Sequence, residues 1–364
     1  MGADRHLSLL PGNSAERIAW PVPFSAGVTQ LMARRGQPTV VLASGDPFWF
    51  GAGTILARCL DREEWRAFPG RSSFSLAAAR LGWPLEQTLC MGLHAAPLTR
   101  LRPHLAPGRR IIVTLRDGAA VAALGAFLES CGFGTSFCMV LESLGGPRER
   151  ATESPAQDLS DCSFAHPVCV AMEVDGDGDA LPLAPGRPDA WFDNDGKIPQ
   201  APVRAMTLAA LAPRPFDHLW DIGGGSGSVG VEWLLSDATL TACTIEPRAD
   251  RADRIRTNAA RLGTDRLQVI AGTAPDALAG LSAPDAVFVG GGLSADLLAH
   301  LETLPAGTRL VANAVTLESD ALLTQAQARL GGALTRVEIA HAMPIGPRRG
   351  WRAAYPVTQW SHVL

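Results

Sequence analysis

The chain has 364 residues, of which 47% are hydrophobic and 19% charged, and its formal net charge is −4. This is enough chain for two domains of ordinary size, and with so mild an acidity nothing suggests a surface built for nucleic acid. A membrane helix is excluded, since no apolar run reaches the ~18 residues that span a bilayer.

Met1-Gly2-Ala3-Asp4-Arg5-His6 opens the chain without the apolar segment of a signal peptide. Seven cysteines, an odd number with no C-x-x-C pair, read as buried thiols in a reducing compartment, and a cytoplasmic protein is expected. The eight histidines are scattered without metal-ligand spacing, so no metal site is expected. Lys197 is the only lysine, against 31 arginines. Guanidinium forks suit bidentate contact with carboxylates, although most of these arginines must be ordinary surface charge.

Along the chain, residues 38–43 read as a short buried strand and 72–81 as a helix ending at Gly82. A strand is expected at 110–115, then a helix at 118–130 with Val121, Leu124, Phe127 and Leu128 on one face. Strands follow at 136–141 and 166–174, with a polar loop over 145–163. Residues 176–194 are rich in Gly, Pro and Asp and lack any period, which is linker chemistry. The expected organisation is an α/β domain over 1–175, a linker over 176–194 and a second domain over 195–364.

Beyond the linker, helix signals at 202–212, 226–236, 248–262, 275–281, 293–304 and 317–330 alternate with strand-like runs. Those runs fall at 218–222, 240–245, 267–271, 285–290 and 308–315. Such alternation predicts a parallel sheet with helices on both faces. Two further runs, 334–343 and 351–359, have no helix between them and should pair antiparallel through Pro344-Ile345-Gly346-Pro347. Six strands plus one reversed, ending in that pair, is the methyltransferase version of the doubly wound α/β fold.

The segment from Leu219 to Gly230 carries the chemistry. An apolar strand ends on Asp221, the chain turns through Gly223, Gly224, Gly225 and Gly227, and a helix opens at Ser226-Gly227-Ser228. Strand, glycine loop and helix N-terminus together make a nucleotide-type cradle, because the backbone can approach a ligand and free N–H groups point at it. Gly225-x-Gly227-x-x-Gly230 satisfies the dinucleotide fingerprint. The wider Asp221-x-Gly223-x-Gly225-x-Gly227 fits better with the S-adenosylmethionine (SAM) loop of Rossmann-like methyltransferases, where the acid would lie by the cationic methionine end. A pyrophosphate would be poorly served by a carboxylate there. Glu246, at the end of the next strand, suits the ribose hydroxyls of either cofactor. Trp220 and Trp233 flank the loop as core residues.

Two sets of motifs resemble known families. Val41-Leu42-Ala43-Ser44-Gly45-Asp46-Pro47, Pro69-Gly70-Arg71-Ser72-Ser73-Phe74, Leu93-His94 and the run from Leu141 to Glu149 resemble the tetrapyrrole methylases. The second half resembles the decarboxylating precorrin methylase domain through the Asp221–Gly227 loop, Glu246, Gly272-Thr273-Ala274-Pro275, Val289-Gly290-Gly291-Gly292 and the run from Ala312 to Ser319. In this order the halves resemble the bifunctional enzymes of aerobic cobalamin biosynthesis.

That resemblance implies methylation of dihydro-precorrin-6 at C5 by the first domain. The second would methylate C15 and remove carbon dioxide from the ring C acetate. It implies SAM as cosubstrate, held by Asp221, Gly223, Gly224, Gly225, Ser226, Gly227, Glu246, Thr273 and Ala274, and in the first domain by Gly45, Asp46, Ser72 and Ser73. Asn313 and Glu318 would face the substrate, a polycarboxylate tetrapyrrole. Glu318 equally suits an acid facing a helix dipole, and Asp46 a Gly-Asp-Pro turn. Arg71, Arg148 and Arg150 are candidates for substrate carboxylates by motif position, alongside surface roles, and His94 reads as a loop histidine. A homo-oligomer, a tetramer through the second domain, is implied too.

The chain departs from the family in two places. Relatives open with a strand and a G-x-G-x-G-D type loop, whereas this chain starts one strand and one loop later, so a first domain lacking its first strand is expected. Pro199 and Pro202 replace a threonine and an acid of the relatives, although Pro202 suits a first helical turn. Methyl transfer from a sulfonium asks mainly for positioning in a dry cleft, which agrees with the lack of an evident triad or metal cluster. Three rival readings stay open: a protein with only the C15 activity and a scaffolding first half, an NAD-dependent oxidoreductase, and a non-catalytic SAM-binding regulator.

Overall fold

Successive residues of a strand face opposite sides of the sheet. In Ala286–Val289 this sends Ala286 and Phe288 into one core, and Val287 and Val289 into another. The computed structural model describes residues 1–10, 12 and 14–364. These form two units, one from Met1–Pro97 with Ala106–Gly178 and one from Leu98–Leu105 with Asp179–Leu364.

The first unit contains α1 (Asp4–Leu7), α2 (Phe24–Met32), α3 (Gly53–Leu56), α4 (Ser73–Leu81), β1 (Leu89–Gly92), β2 (Arg110–Leu115), α5 (Ala119–Ser130), β3 (Phe137–Glu142), β4 (Arg150–Pro155) and β5 (Val168–Glu173). Its strands form one sheet in the order β1-β2-β5-β3-β4, with β1 parallel to β2 and the other pairs antiparallel. Ser72 caps α4 by accepting the Ser75 N–H at 3.0 Å, and Gly82 ends it in the left-handed region. Phe74, Ala77 and Ala78 of α4 pack on Ile112, Leu141 and Ala171.

Two expectations for this half are corrected. Residues 38–43 are extended but enter no ladder. Met1 binds them, its ammonium donating to Val40 O at 2.6 Å and its carbonyl accepting the Leu42 N–H at 2.8 Å. So short a contact leaves Val40 exposed. The expected loop at 145–163 contains β4, a polar edge strand that reads as loop because its side chains are polar and mostly exposed, with Phe137 opposite Pro155 through Glu142 opposite Arg150.

The second unit contains α6 (Ala201–Leu211), β6 (His218–Ile222), α7 (Ser228–Ser236), β7 (Thr241–Glu246), α8 (Ala249–Arg261), β8 (Gln268–Ala271), β9 (Ala286–Val289), α9 (Ala295–Leu301), β10 (Arg309–Ala314), α10 (Leu317–Leu330), β11 (Ala333–Val337), β12 (Ala340–Ile345), β13 (Arg348–Ala353) and β14 (Val357–Val363). Seven strands form one sheet in the order β11-β14-β10-β9-β6-β7-β8, in which only β14 runs against its neighbours. Leu208, Leu219, Val229, Trp233, Ile255 and Phe288 fill the core on one face. Trp220, Ile245, Val287, Leu297, Leu323 and Trp360 fill the other. The sheet thus has six strands one way and one reversed, as the alternation predicts.

Three details differ from the sequence reading. The expected helix at 275–281 is a single 3-10 turn, Asp276–Leu278, following Pro275. Each closing strand is broken in two. Residues 333–337 and 357–363 join the main sheet, while β12 and β13 leave it as a separate hairpin closed at Gly346-Pro347. Finally, the Gly- and Pro-rich stretch after 178 is not loose. Leu181 and Phe192 are buried in the core, and the Asn258 side chain both accepts the Asp193 N–H and donates to its carbonyl, each at 2.9 Å.

Residues 98–105 are counted with this second unit, and Leu98–His104 form a 3-10 segment. Arg100 forks onto both oxygens of Asp265 at 2.8 and 2.9 Å. Gly263 has φ +75°, and a Cβ there would stand 2.6 Å from the Thr99 carbonyl oxygen, so only glycine allows this approach.

Candidate active site

In the second unit β6 neighbours both β7 and β9, and the chain crosses from β8 back to β9. The crevice beyond the carboxyl ends of β6 and β9 is therefore the switch point of the sheet, where such folds bind ligands. A cleft of about 1300 Å³ opens there. Its base is the Gly223–Gly225 turn after β6 and the Gly290–Gly292 turn after β9. The two turns touch: with φ +73° at Gly223, a Cβ would lie 2.6 Å from Gly291 N. Gly225 differs, because at φ +58° its missing Cβ would meet nothing closer than the Lys197 carbonyl oxygen at 3.5 Å. That open side faces the cleft, and it is the backbone a ligand can approach.

Two buried carboxylates brace this turn. Asp221 Oδ2 accepts the Thr244 hydroxyl at 3.1 Å and the Gly230 N–H at 3.2 Å. Burial pushes its carboxyl up from 3.8 to about 6, and the nearby Glu246 adds to the rise, against the lowering by those two hydrogen bonds. Glu246 Oε2 accepts the Gly225 N–H at 2.9 Å, and Oε1 accepts the Arg248 N–H at 3.1 Å. The loop donor that would meet a phosphate is thus already held by a carboxylate, and a second carboxylate stands beside it. Such a floor repels a diphosphate and welcomes a cation and hydroxyl groups.

The walls come from a segment that carries no period and from the expected closing hairpin. One is the segment 196–200, held from beneath by Arg204. This fully buried guanidinium donates to Glu232 Oε1 at 2.7 Å, to Asp189 Oδ1 at 3.0 Å and to the Pro199 carbonyl at 2.6 Å, and also to the Arg187 carbonyl. Glu232 also accepts the N–H groups of Gly186 and Arg187 at 2.7 and 2.9 Å. The other wall is the β12–β13 hairpin, whose His341 Nε2 lies 3.2 Å from Gln200 Oε1. Asn313, at the end of β10, lines the cleft between them. Its Nδ2 donates to Thr207 Oγ1 at 2.9 Å, and its Oδ1 accepts from Gln359 Nε2 at 3.0 Å. Gln359 Nε2 also donates to Thr207 at 3.1 Å, and the Thr207 hydroxyl donates to Val203 O at 2.9 Å.

Of the residues expected from sequence to hold SAM, the cleft gathers Asp221, Gly223, Gly224, Gly225, Glu246, Thr273 and Ala274, together with Asn313. Ser226 and Gly227 lie behind the turn. The Ser226 carbonyl accepts from Asn258 at 2.9 Å, and the missing Cβ of Gly227 would collide with Ile255. Glu318 does not line the cleft and sits exposed in the first turn of α10, where it suits the helix dipole. Sequence reasoning missed Arg204, Glu232, Thr207 and Gln359. For the first two the available signal was a charge inside otherwise apolar helices.

In the first unit Gly45, Asp46, Ser72 and Ser73 come together where Gly70 N–H donates to Gly45 O at 3.2 Å. Asp46 Oδ1 accepts the Phe48 N–H at 2.8 Å, which is the turn-forming role. Arg150 is not free for a substrate, since it pairs with Glu142 and donates to the Ser163 carbonyl at 2.8 Å. Arg71, Arg148 and His94 are exposed. All seven cysteines are free thiols. Among the described residues no cluster of His, Cys, Asp and Glu is arranged to hold a metal, and no helix is long and apolar enough to cross a membrane.

Comparison with known proteins agrees with this geometry. Residues 190–364 match the family described as the precorrin methyltransferase domain, and residues 26–160 match the tetrapyrrole (corrin/porphyrin) methylases. The fold and the cleft thus define a SAM-dependent C-methyltransferase of two domains. A precorrin-6Y C(5,15)-methyltransferase (decarboxylating) of a Sinorhizobium species is 50% identical over 99% of this chain and 88% of its own. That of Mycobacterium tuberculosis H37Rv is 39% identical over 99% and 91%. The crystallised C-terminal domain of the Rhodobacter capsulatus enzyme is 55% identical, covers 50% of this chain and 100% of its own, and has a TM-score of 0.49. The chain belongs to the precorrin-6Y C5,15-methyltransferase (decarboxylating) family of cobalamin biosynthesis. The oxidoreductase alternative has no support.

Proposed function

We propose that the two activities of the family are divided between the two units. The first unit methylates C5 of precorrin-6Y, and the second methylates C15 and releases carbon dioxide. The family matches, one on each half, support this division. For the second unit the reading rests on one observation: Gly225 N–H is bonded to the Glu246 carboxylate while Asp221 lies buried alongside.

Residues Asp221, Gly225, Glu246 and Thr273 hold SAM in this reading. The cosubstrate supplies an activated, electrophilic methyl group. Glu246 keeps lone pairs on both oxygens for ribose hydroxyls beyond the two N–H groups it already accepts. Asp221, ionised by a neighbouring cation, offsets the positive charge of the methionine end. Asn313, fixed by Thr207 and Gln359, offers its second Nδ2–H toward the substrate. The apolar walls exclude water, so positioning carries most of the rate. In the first unit the Gly45–Asp46 turn and the Ser72–Ser73 helix start are proposed to serve the second SAM molecule. Seven free thiols suit a reducing, cytoplasmic setting.

Incubation with SAM and precorrin-6Y, followed by mass spectrometry, tests the division. Two methyl groups gained with one carbon dioxide lost is the expected result. One methyl gained with the same loss leaves the second unit alone active, and an unchanged mass refutes both assignments.

A further inference from the structure

We propose that Lys197, Gln200, His341 and Arg352 form an anion-binding rim on the second unit's cleft, which takes carboxylates borne on an apolar frame. The inference rests on the reading above and names how that cleft holds its larger ligand.

All four residues line the cleft. His341 and Arg352 are direct cross-strand partners on the hairpin, and His341 Nε2 meets Gln200 Oε1 at 3.2 Å. Lys197 lies three residues before Gln200, on the segment that Arg204 pins through the Pro199 carbonyl at 2.6 Å. Two cations from different walls therefore bracket one hydrogen-bonded bridge. Neighbouring cations are occupied: Arg251 is paired with Asp195 at 2.7 Å, and Arg248 with Asp250 at 2.8 Å. Among the described residues neither Lys197 nor Arg352 has an ion pair.

The acids lining the cleft, Asp221 and Glu246, are buried at its base; Asp195 accepts the Lys197 N–H at 3.3 Å, but its carboxylate is already paired with Arg251. Val337, Ile339, Met343 and Tyr355 stand beside these charges as apolar surface. Cations at the lip of a low-dielectric cleft focus an attractive field on an entering anion. The apolar wall between them then rewards a ligand with a hydrophobic frame. A carboxylate reaching an ammonium or guanidinium there gains a charge-assisted hydrogen bond, whose loss weakens binding roughly tenfold.

Two ligands bring carboxylates to this place, the amino-acid end of SAM and the acid side chains of the macrocycle. The rim is assigned to the macrocycle, because one of its cations sits on the hairpin rather than on the glycine turn.

The composition offers a direct test, since Lys197 is the only side-chain amine in the protein. Acetylation of the full-length protein, followed by peptide mass spectrometry, should be slowed at Lys197 by precorrin-6Y and left unchanged by SAM alone. Lys197→Met and Arg352→Met should each raise KM for precorrin-6Y roughly tenfold, with the SAM dissociation constant unaltered by calorimetry and with recovery in Lys197→Arg. Unchanged KM in both variants overturns the rim. So does weaker SAM binding in Lys197→Met with unchanged KM, which hands the lysine to the cosubstrate. Protection is read by binding alone, so protection by the macrocycle without turnover would retire the assigned reaction and keep the rim.

Discussion

Arg204 and Glu232, 28 residues apart, meet with Nε and Oε1 at 2.7 Å while both side chains are fully buried. They serve the cleft rather than line it. Glu232 gathers the backbone of 186–187, and Arg204 gathers that of 187 and 199, so the two charges hold the wall that carries Lys197 and Gln200.

Removing one partner leaves the other buried with only a secondary countercharge, Asp189 at 3.0 Å for Arg204 and Arg187 at 3.6 Å for Glu232. Arg204→Met or Glu232→Gln should each cost about 3–5 kcal/mol in urea unfolding. The paired replacement Arg204→Met with Glu232→Leu should recover part of that loss. SAM affinity should stay low in the pair, because the 186–199 backbone loses its anchors in either case. Recovery of both stability and affinity would contradict this role.

Asp221 predicts a pH dependence. Its carboxyl is raised from 3.8 to about 6, so its stabilising contribution to the free protein is present below about pH 3.8 and lost as pH rises through about 6. Asp221→Asn should therefore make the free protein more stable near pH 8, by on the order of 2 kcal/mol. A bound cation needs the ionised form. Wild-type SAM affinity should fall about tenfold per unit below pH 6, while that of Asp221→Asn is weak and flat. Calorimetric titration from pH 5 to 8 checks both slopes.

The two glycines of the turn should respond differently. Gly223→Ala meets the Gly291 backbone at 2.6 Å in a left-handed conformation and should lose roughly 2–4 kcal/mol of stability. Gly225→Ala carries only the conformational strain of about 1 kcal/mol, since its Cβ meets no protein atom within 3.4 Å. Its larger loss should be in SAM affinity. Thermal melts set beside ligand titrations separate the two.

The Asn313 network gives a fourth test. Thr207→Val strands the donors of Asn313 and Gln359, whereas Thr207→Ser keeps the hydroxyl. The first should cost about 1–3 kcal/mol and the second much less. With SAM affinity unchanged, C15 methylation should drop in Thr207→Val and persist in Thr207→Ser, as followed by product mass.

Much of the second unit is legible in the sequence because its helices and strands bury one face each, which stamps a period on residues 202–330. Asp221, the glycines and Glu246 are legible because backbone conformation and strand ends restrict the residue types allowed there. The walls of the cleft are not. Segment 186–200 is ordered by backbone N–H and carbonyl groups bonded to Glu232 and Arg204, and such bonds leave no trace in the hydrophobic pattern. The hairpin itself is expected from the sequence, but its departure from the main sheet is not, for a related reason: its residues are largely exposed on both faces, so nothing marks the break at 338–339. In the first unit β4 escapes notice because its polar, mostly exposed side chains carry no hydrophobic alternation.

The clasp between Arg100 and Asp265 spans 165 residues of chain. At cellular rates of about 5–20 residues per second, roughly ten to thirty seconds of translation separate the two partners. Leu101 and Leu105, which end almost wholly buried, leave the ribosome at the start of that interval. A nascent chain of this protein thus carries a sticky, temporarily homeless segment, and a holding chaperone that recognises short apolar stretches has a defined place and a defined time to act.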